Sequence, residues 1–190
     1  MIDQTEETRT LSPKMSWRAC TDRMGGSTTQ MLENLVMPQG VEKALEVITS
    51  GQACACTDGS VKDGSGTAAF VCSDSDNPYN YVLKCAITVP KGYKMTSTRA
   101  ELMGILLIYR AVEAIGNWSG KPPIIYAACD SMAALRKAIL EESISASTSD
   151  YDIIKEIHEC KGKEHKMEWC HVYGHADKGN LVTNGQYTRC

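Results

Sequence analysis

The chain has 190 residues, 43% of them hydrophobic, and a formal net charge of −3. That length suits one domain, with room for an appendage, and is enough for a substantial core. The charge excludes a global basic field for nucleic acid, so any such contact must come from a local patch. No apolar run reaches the ~18 residues of a membrane span, and the opening MIDQTEETRT is too acidic and polar for a secretory signal.

Residues 1–30 are rich in Thr and Ser and lack hydrophobic periodicity, so they read as a flexible or loosely packed extension. Residues 31–50 read as a helical extension. Val41, Ala44, Leu45 and Ile48 follow the i, i+3, i+4, i+7 rule, and Gly51 stops the helix. From 51 to 190 one domain is expected. It opens with strands at 52–57, 67–72 and 81–88, separated by a glycine turn at 64–66 and a polar turn at 74–80, an antiparallel meander.

A long helix follows over 98–116. Leu102, Ile105, Leu106, Tyr109, Val112 and Ile115 form one apolar face. Pro122-Pro123 lead into a continuous apolar run at 124–129, which suits a central strand covered on both sides. Helices are expected at 131–141 and 150–161, and a last strand at 166–173. The order βββαβααβ implies an α/β fold with a mixed sheet flanked by helices. In such sheets ligand sites lie at the carboxyl ends of strands.

Nine cysteines are present. Cys54, Cys56, Cys72, Cys85, Cys129 and Cys170 lie in apolar runs and read as reduced, buried small hydrophobes of an intracellular protein. Cys160, His165, Cys170 and His171 match no common zinc spacing.

Three acidic residues stand at the heads of three segments: Asp58 in CACTDGS, Glu101 in TSTRAEL and Asp130 in IIYAACDS. Each has an ordinary reading when taken alone. Asp58-Gly59 could be a hairpin turn. Thr98 and Glu101 have the spacing of a capping box. Asp130 could N-cap the next helix. Taken together, three carboxylates converging at one edge of one sheet would repel strongly. A divalent cation would neutralise such a cluster.

Thr57-Asp58-Gly59-Ser60, Thr98-Arg99-Ala100-Glu101-Leu102, Cys129-Asp130-Ser131 and Val172-Tyr173-Gly174-His175 followed by Gly179-Asn180 resemble, in order and spacing, the motifs of the ribonuclease H family. The resemblance covers about residues 52–184. It implies a ribonuclease H-like mixed five-stranded sheet: a three-strand antiparallel meander plus two parallel strands, flanked by helices. It also implies metal-dependent cleavage of the RNA strand of RNA/DNA hybrids, with two Mg²⁺ or Mn²⁺ ions held by oxygen ligands. In that scheme Asp58 bridges both ions. Glu101 and Asp130 hold the ion nearer the leaving group, and His175 assists proton transfer or product departure.

The family's fourth metal-binding aspartate aligns with Asn184, six residues before the final Cys190. An amide offers a neutral oxygen and no charge. Three readings stay open: Asn184 replaces the aspartate, the aspartate lies beyond a C-terminal truncation, or Asp177 substitutes for it. The rival to an enzyme is an inactive ribonuclease H-like domain that binds nucleic acid or a protein partner. An integrase or transposase is disfavoured, since those usually take the third carboxylate from a late helix. A dinucleotide-binding domain is disfavoured because Gly64-Ser65-Gly66 lacks the required spacing.

For substrate, Gly59, Ser60, Thr98, Arg99 and Ser131 are the candidate contacts to the RNA strand, read through 2′-hydroxyls and backbone shape. Lys62, Arg99, Arg136 and Lys137 are candidate phosphate contacts. No basic protrusion occupies the stretch after Leu140. Weak autonomous affinity is therefore expected, as for a monomeric module tethered to a larger protein such as a reverse transcriptase.

Overall fold

The computed structural model describes residues 17–90, 94–139, 145–147, 149–161 and 166–174. Three helices come first: α1 (Trp17–Arg23), α2 (Gly26–Leu32) and α3 (Val41–Ser50). The meander follows as β1 (Ala53–Lys62), β2 (Ser65–Asp74) and β3 (Asn77–Thr88). Then come α4 (Ser97–Ser119), β4 (Ile124–Cys129), α5 (Met132–Ala138), α6 (Tyr151–Lys161) and β5 (Lys166–His171). The sheet order is β3-β2-β1-β4-β5. The β1–β2 and β2–β3 pairs are antiparallel, while β1–β4 and β4–β5 are parallel. This is the mixed five-stranded sheet expected from the sequence.

Helix α4 organises the core. Fifteen of its residues, from Arg99 to Ile115, are buried, so it is apolar around most of its circumference rather than along one stripe. It lies on the face of β1 that carries Ala53, Ala55 and Thr57, all buried, while Cys54 is half-buried and Cys56 and Asp58 are exposed on the other face. Gly104 makes the close approach possible, because a Cβ there would fall on the Thr57 hydroxyl. That hydroxyl donates to the Ala69 carbonyl at 3.0 Å and ties β1 to β2 beneath the helix.

Residues 17–30 depart from the expected loose extension. Cys20 is buried, and its thiol donates to the Ala114 carbonyl on α4 at 3.4 Å. Thr21, Thr28 and Leu32 are buried as well, and Met24 and Met31 pack on the core. Inward-facing threonines gave these helices a polar appearance that hid their periodicity. Residues 1–16 lie outside the described residues.

Other boundaries moved for local reasons. The first hairpin turns at Asp63 and Gly64, both with positive φ (50° and 73°), the signature of a two-residue primed turn. Strand β1 therefore runs five residues beyond the expected end at Thr57, to Lys62. Strand β3 begins at Asn77, inside the stretch read as a turn. Helix α4 passes through Gly116 and stops at Gly120 in the left-handed region, φ 67°.

The cysteines divide by sheet face. Cys72, Cys85 and Cys129 are buried thiols as expected. Cys54 is half-buried and Cys56 exposed, because both lie on the side of β1 away from α4. Cys170 is disulfide-bonded, contrary to the reduced state read from sequence. Among the described residues no helix is long and apolar enough to cross a membrane.

Candidate metal centre

Strands β1 and β4 pair in parallel only as far as Thr57 and Cys129. Beyond that point β1 continues with β2, where Asp58 sits opposite Ala69, and β4 ends. Asp58 and Asp130 thus flank the crevice where two parallel strands part, the usual ligand position in an open α/β sheet. Asp58-Gly59 is not a turn. It is extended strand.

The head of α4 closes the crevice from one side. Thr96 N-caps the helix, its hydroxyl accepting from the Arg99 amide at 3.1 Å. The cap therefore sits at Thr96 rather than Thr98, no capping box forms with Glu101, and that carboxylate is left for other partners. Instead the Glu101 carboxylate accepts from the Gly59 amide. Gly59 is needed for this contact: a Cβ there would fall on the Glu101 nitrogen and the Ala100 carbonyl carbon.

Glu101 is only 7% exposed. Burial pushes its carboxyl up to about 7, and the Gly59 amide opposes that rise. The negative charges of Asp130 and Asp58 add to it, and a bond from the Cys129 thiol opposes it. The Cys129 Sγ donates to Glu101 Oε2 at 3.7 Å and accepts from the Ser131 amide at 3.4 Å. Burial holds the Cys129 thiol at about 12, a protonated donor. One ligand atom each from Glu101, Cys129 and Asp130 lies within 4.8 Å of the others. Asp58 is outside that tightest group, but its charge acts on both Glu101 and Cys56. Burial, and then the charges of Asp130, Asp58 and Glu101, raise the Cys56 thiol.

Asp130 does not N-cap α5. Ser131 does, accepting from the Ala134 amide at 3.2 Å, so the Asp130 carboxylate is left for the crevice. Gly174, after β5, lies so near that a Cβ would fall on Asp130 Oδ2. His171 Nε2 sits 3.1 Å from the Asp130 carbonyl oxygen. Its ring meets Tyr173 edge-on, centroids 5.4 Å apart at 76°.

The donor set suits a divalent cation. Carboxylates converge, the charges of Asp130 and Asp58 act on Glu101, and two glycines leave the space that side chains would fill. Among the expected contacts, Ser60 is exposed and its hydroxyl pairs with that of Thr67 at 2.9 Å. Thr98 is half-buried, and Lys62 and Arg136 are exposed. Arg99 and Lys137 are placed elsewhere. Arg99 is 3% exposed and forms a two-point pair with Asp152, at 2.9 and 2.6 Å. Lys137 pairs with Asp150 at 2.8 Å. Both cations are taken up in joining α4, α5 and α6. His175, Asp177 and Asn184 lie outside the described residues.

Sequence reasoning missed Cys129 and His171. The only signal for Cys129 was its place one residue before Asp130. His171 is brought in by the parallel register that sets it opposite Cys129, and nothing local announces that.

The fold is ribonuclease H-like. It is similar to the ribonuclease H1 of the halophilic archaeon Halobacterium salinarum NRC-1, with TM-score 0.53 and 14% identity over 67% of this chain and 90% of that one. The N-terminal RNase H domain of a Mycobacterium tuberculosis protein gives TM-score 0.53 and 10% identity, over 66% and 85% of the two chains. LC11-RNase H1, solved in complex with an RNA/DNA hybrid, gives TM-score 0.51 and 14% identity, over 67% and 88%. No family model and no curated protein matches the chain.

Proposed function

We propose that the chain is a metal-dependent ribonuclease that hydrolyses the RNA strand of RNA/DNA hybrids endonucleolytically. The observation that carries this reading is the convergence of Glu101 and Asp130, with Asp58 beside them, at the parting of β1 and β4. A fold shared with ribonuclease H enzymes supports it, as does the hybrid held by one of them.

Asp58, Glu101 and Asp130 would hold Mg²⁺ or Mn²⁺, two ions in the working site, with Asn184 aligned on the fourth position. Bound ions supply a water-derived nucleophile and a sink for charge on the leaving oxygen. The chain's own work is to fix the ligands. Gly59 and Cys129 donate to Glu101 and set its orientation. Ser131 takes over the helix cap and leaves Asp130 available. His175, the residue after Gly174 in the sequence, is assigned to proton transfer or product departure. Gly59, Ser60, Thr98 and Ser131 would line the approach and meet 2′-hydroxyls and phosphates.

With Arg99 and Lys137 occupied and a net charge of −3, affinity for a free hybrid is expected to be weak. This favours a monomeric module tethered to a larger protein, for which a reverse transcriptase is our proposal.

A second reading is a binding domain without activity. Asn184 favours it, since a neutral amide would hold the water-activating ion more weakly. The test is cleavage of a labelled hybrid in Mg²⁺ and in Mn²⁺, beside duplex DNA and an Asn184→Asp variant. Hybrid-selective cleavage by the native chain supports the enzyme. Cleavage only by the variant makes the native chain a disabled nuclease. Equal cleavage of duplex DNA rejects the assignment.

A further inference from the structure

We propose that Tyr173 is the nucleic-acid contact at the rim of the centre, a fixed aromatic surface against which a sugar of the bound strand packs. The proposal deepens the hybrid-nuclease reading and rests on it. Tyr173 is 72% exposed, a large aromatic ring presented to solvent beside the half-buried Asp130. It is also held in place. His171 meets it edge-on at 5.4 Å, and His171 is in turn seated at the Asp130 carbonyl, 3.1 Å away. On the other side Gly174 is pressed against the Asp130 carboxylate. Both neighbours of the ring are therefore fixed to the residue proposed to bind metal, and little conformational entropy is left to lose on binding.

The charge distribution points the same way. A strand entering this crevice carries phosphates toward Asp58, Glu101 and Asp130. Arg99 at the head of α4 and Lys137 on α5 are engaged by Asp152 and Asp150, while Arg136 on α5 and Lys62 on β1 are exposed. With two of the four candidate cations occupied, an uncharged contact close to the centre would complement the rest. An aromatic ring against a ribose, in the shallow minor groove of a hybrid, is such a contact. It is indifferent to sequence, as a nuclease reading backbone shape requires.

The experiment measures binding of the full chain to a fluorescently labelled RNA/DNA hybrid, with Ca²⁺ replacing Mg²⁺, over a series of salt concentrations. The native chain is compared with Tyr173→Ala, Tyr173→Phe and Tyr173→Trp, and the melting temperature of each is recorded. Tyr173→Ala is expected to weaken binding by about tenfold, the scale of one lost aromatic–nucleotide contact. The slope of log K against log salt should stay unchanged, since no phosphate contact is removed. Phe and Trp should restore most of the affinity, a rescue that loop packing alone would not require of both. Native-like binding by Tyr173→Ala overturns the proposal. So does a Phe variant as weak as the Ala variant, which would assign the effect to the hydroxyl. A native chain that binds hybrid no better than duplex DNA shows instead that the hybrid reading has failed, and the Tyr173 contact falls with it.

Discussion

A Cβ on Gly59 would fall on the backbone nitrogen of Glu101, so the head of α4 rests directly on the backbone of β1. The contact joins fold to chemistry. The Gly59 amide donates to the Glu101 carboxylate from a strand whose preceding residue is Asp58. Gly59→Ala has no flexible neighbour to push aside, because the atoms it meets are helix backbone. It should cost about 1–3 kcal/mol in overpacking and reduce hybrid cleavage far more than that loss of stability would. Gly174→Ala meets a side-chain carboxylate instead. It should barely change the melting temperature yet disturb Asp130. Urea denaturation and steady-state cleavage on the same two variants check the contrast. Equal stability losses would refute it.

The raised carboxyl of Glu101 makes a pH prediction. Between its ordinary value of 4.5 and about 7, the unfolded chain has released this proton while the native chain retains it. The native state then binds more protons, so stability falls as pH rises. Metal-free protein should have this contribution in full below about 4.5 and lose it as pH rises through about 7. Glu101→Gln should flatten the decline and raise the melting temperature at pH 8 by roughly 2–4 °C per kcal/mol relieved. Mg²⁺ should stabilise the native chain above pH 7 and leave the Gln variant unchanged. A melting temperature of metal-free native protein that does not fall across this window would count against the buried, crowded carboxyl.

The same centre predicts how metal binding depends on its ligands. Asp58→Asn and Asp130→Asn should each weaken Mg²⁺ binding, read by calorimetry, while leaving the fold intact. Both side chains are at least partly exposed, so each loses a charge rather than a packing partner. Cys129→Ala acts differently. It removes a donor from Glu101 and opens a small cavity at a fully buried site, so stability should fall by about 1 kcal/mol along with metal affinity. Unchanged Mg²⁺ affinity in Asp58→Asn would remove that residue from the centre.

The sheet and its central helix were legible because their signals are long. The run at 124–129 and the apolar face of 98–116 are each longer than any competing pattern around them. The strand-end carboxylates were legible as a set for the same reason, since four short motifs in order constrain one another. Signals one or two residues wide were not. Thr96 and Thr98 are equally good capping residues, and only the structure shows that Thr96 caps. Thr96→Ala should therefore cost about 1 kcal/mol, and Thr98→Ala much less, as urea denaturation would show. Asp130 and Ser131 compete in the same way, and Ser131 takes the cap. Partners set by tertiary register, such as Cys129 with His171, have no local signature.

Arg99 shows where this kind of reading fails. It sits in the Thr-Arg-Ala-Glu motif, two residues before Glu101, and reads naturally as a phosphate contact. Its partner Asp152 is 53 residues away. A guanidinium 3% exposed, with Asp150 at 3.8 Å and Asp152 at 2.6 Å, is part of the core's framework. Removing one member of such a buried network leaves the others without compensation. Arg99→Ala should therefore destabilise the protein by about 3–5 kcal/mol. Arg99→Lys should recover only part of that, since an ammonium cannot reproduce the two-point pair with Asp152. Asp152→Asn should cost less, because its carboxylate is 37% exposed. Urea denaturation of the three variants gives the order. A phosphate contact would behave in the opposite way: Arg99→Ala would leave the unfolding midpoint unchanged, weaken hybrid binding and reduce the salt slope by about one.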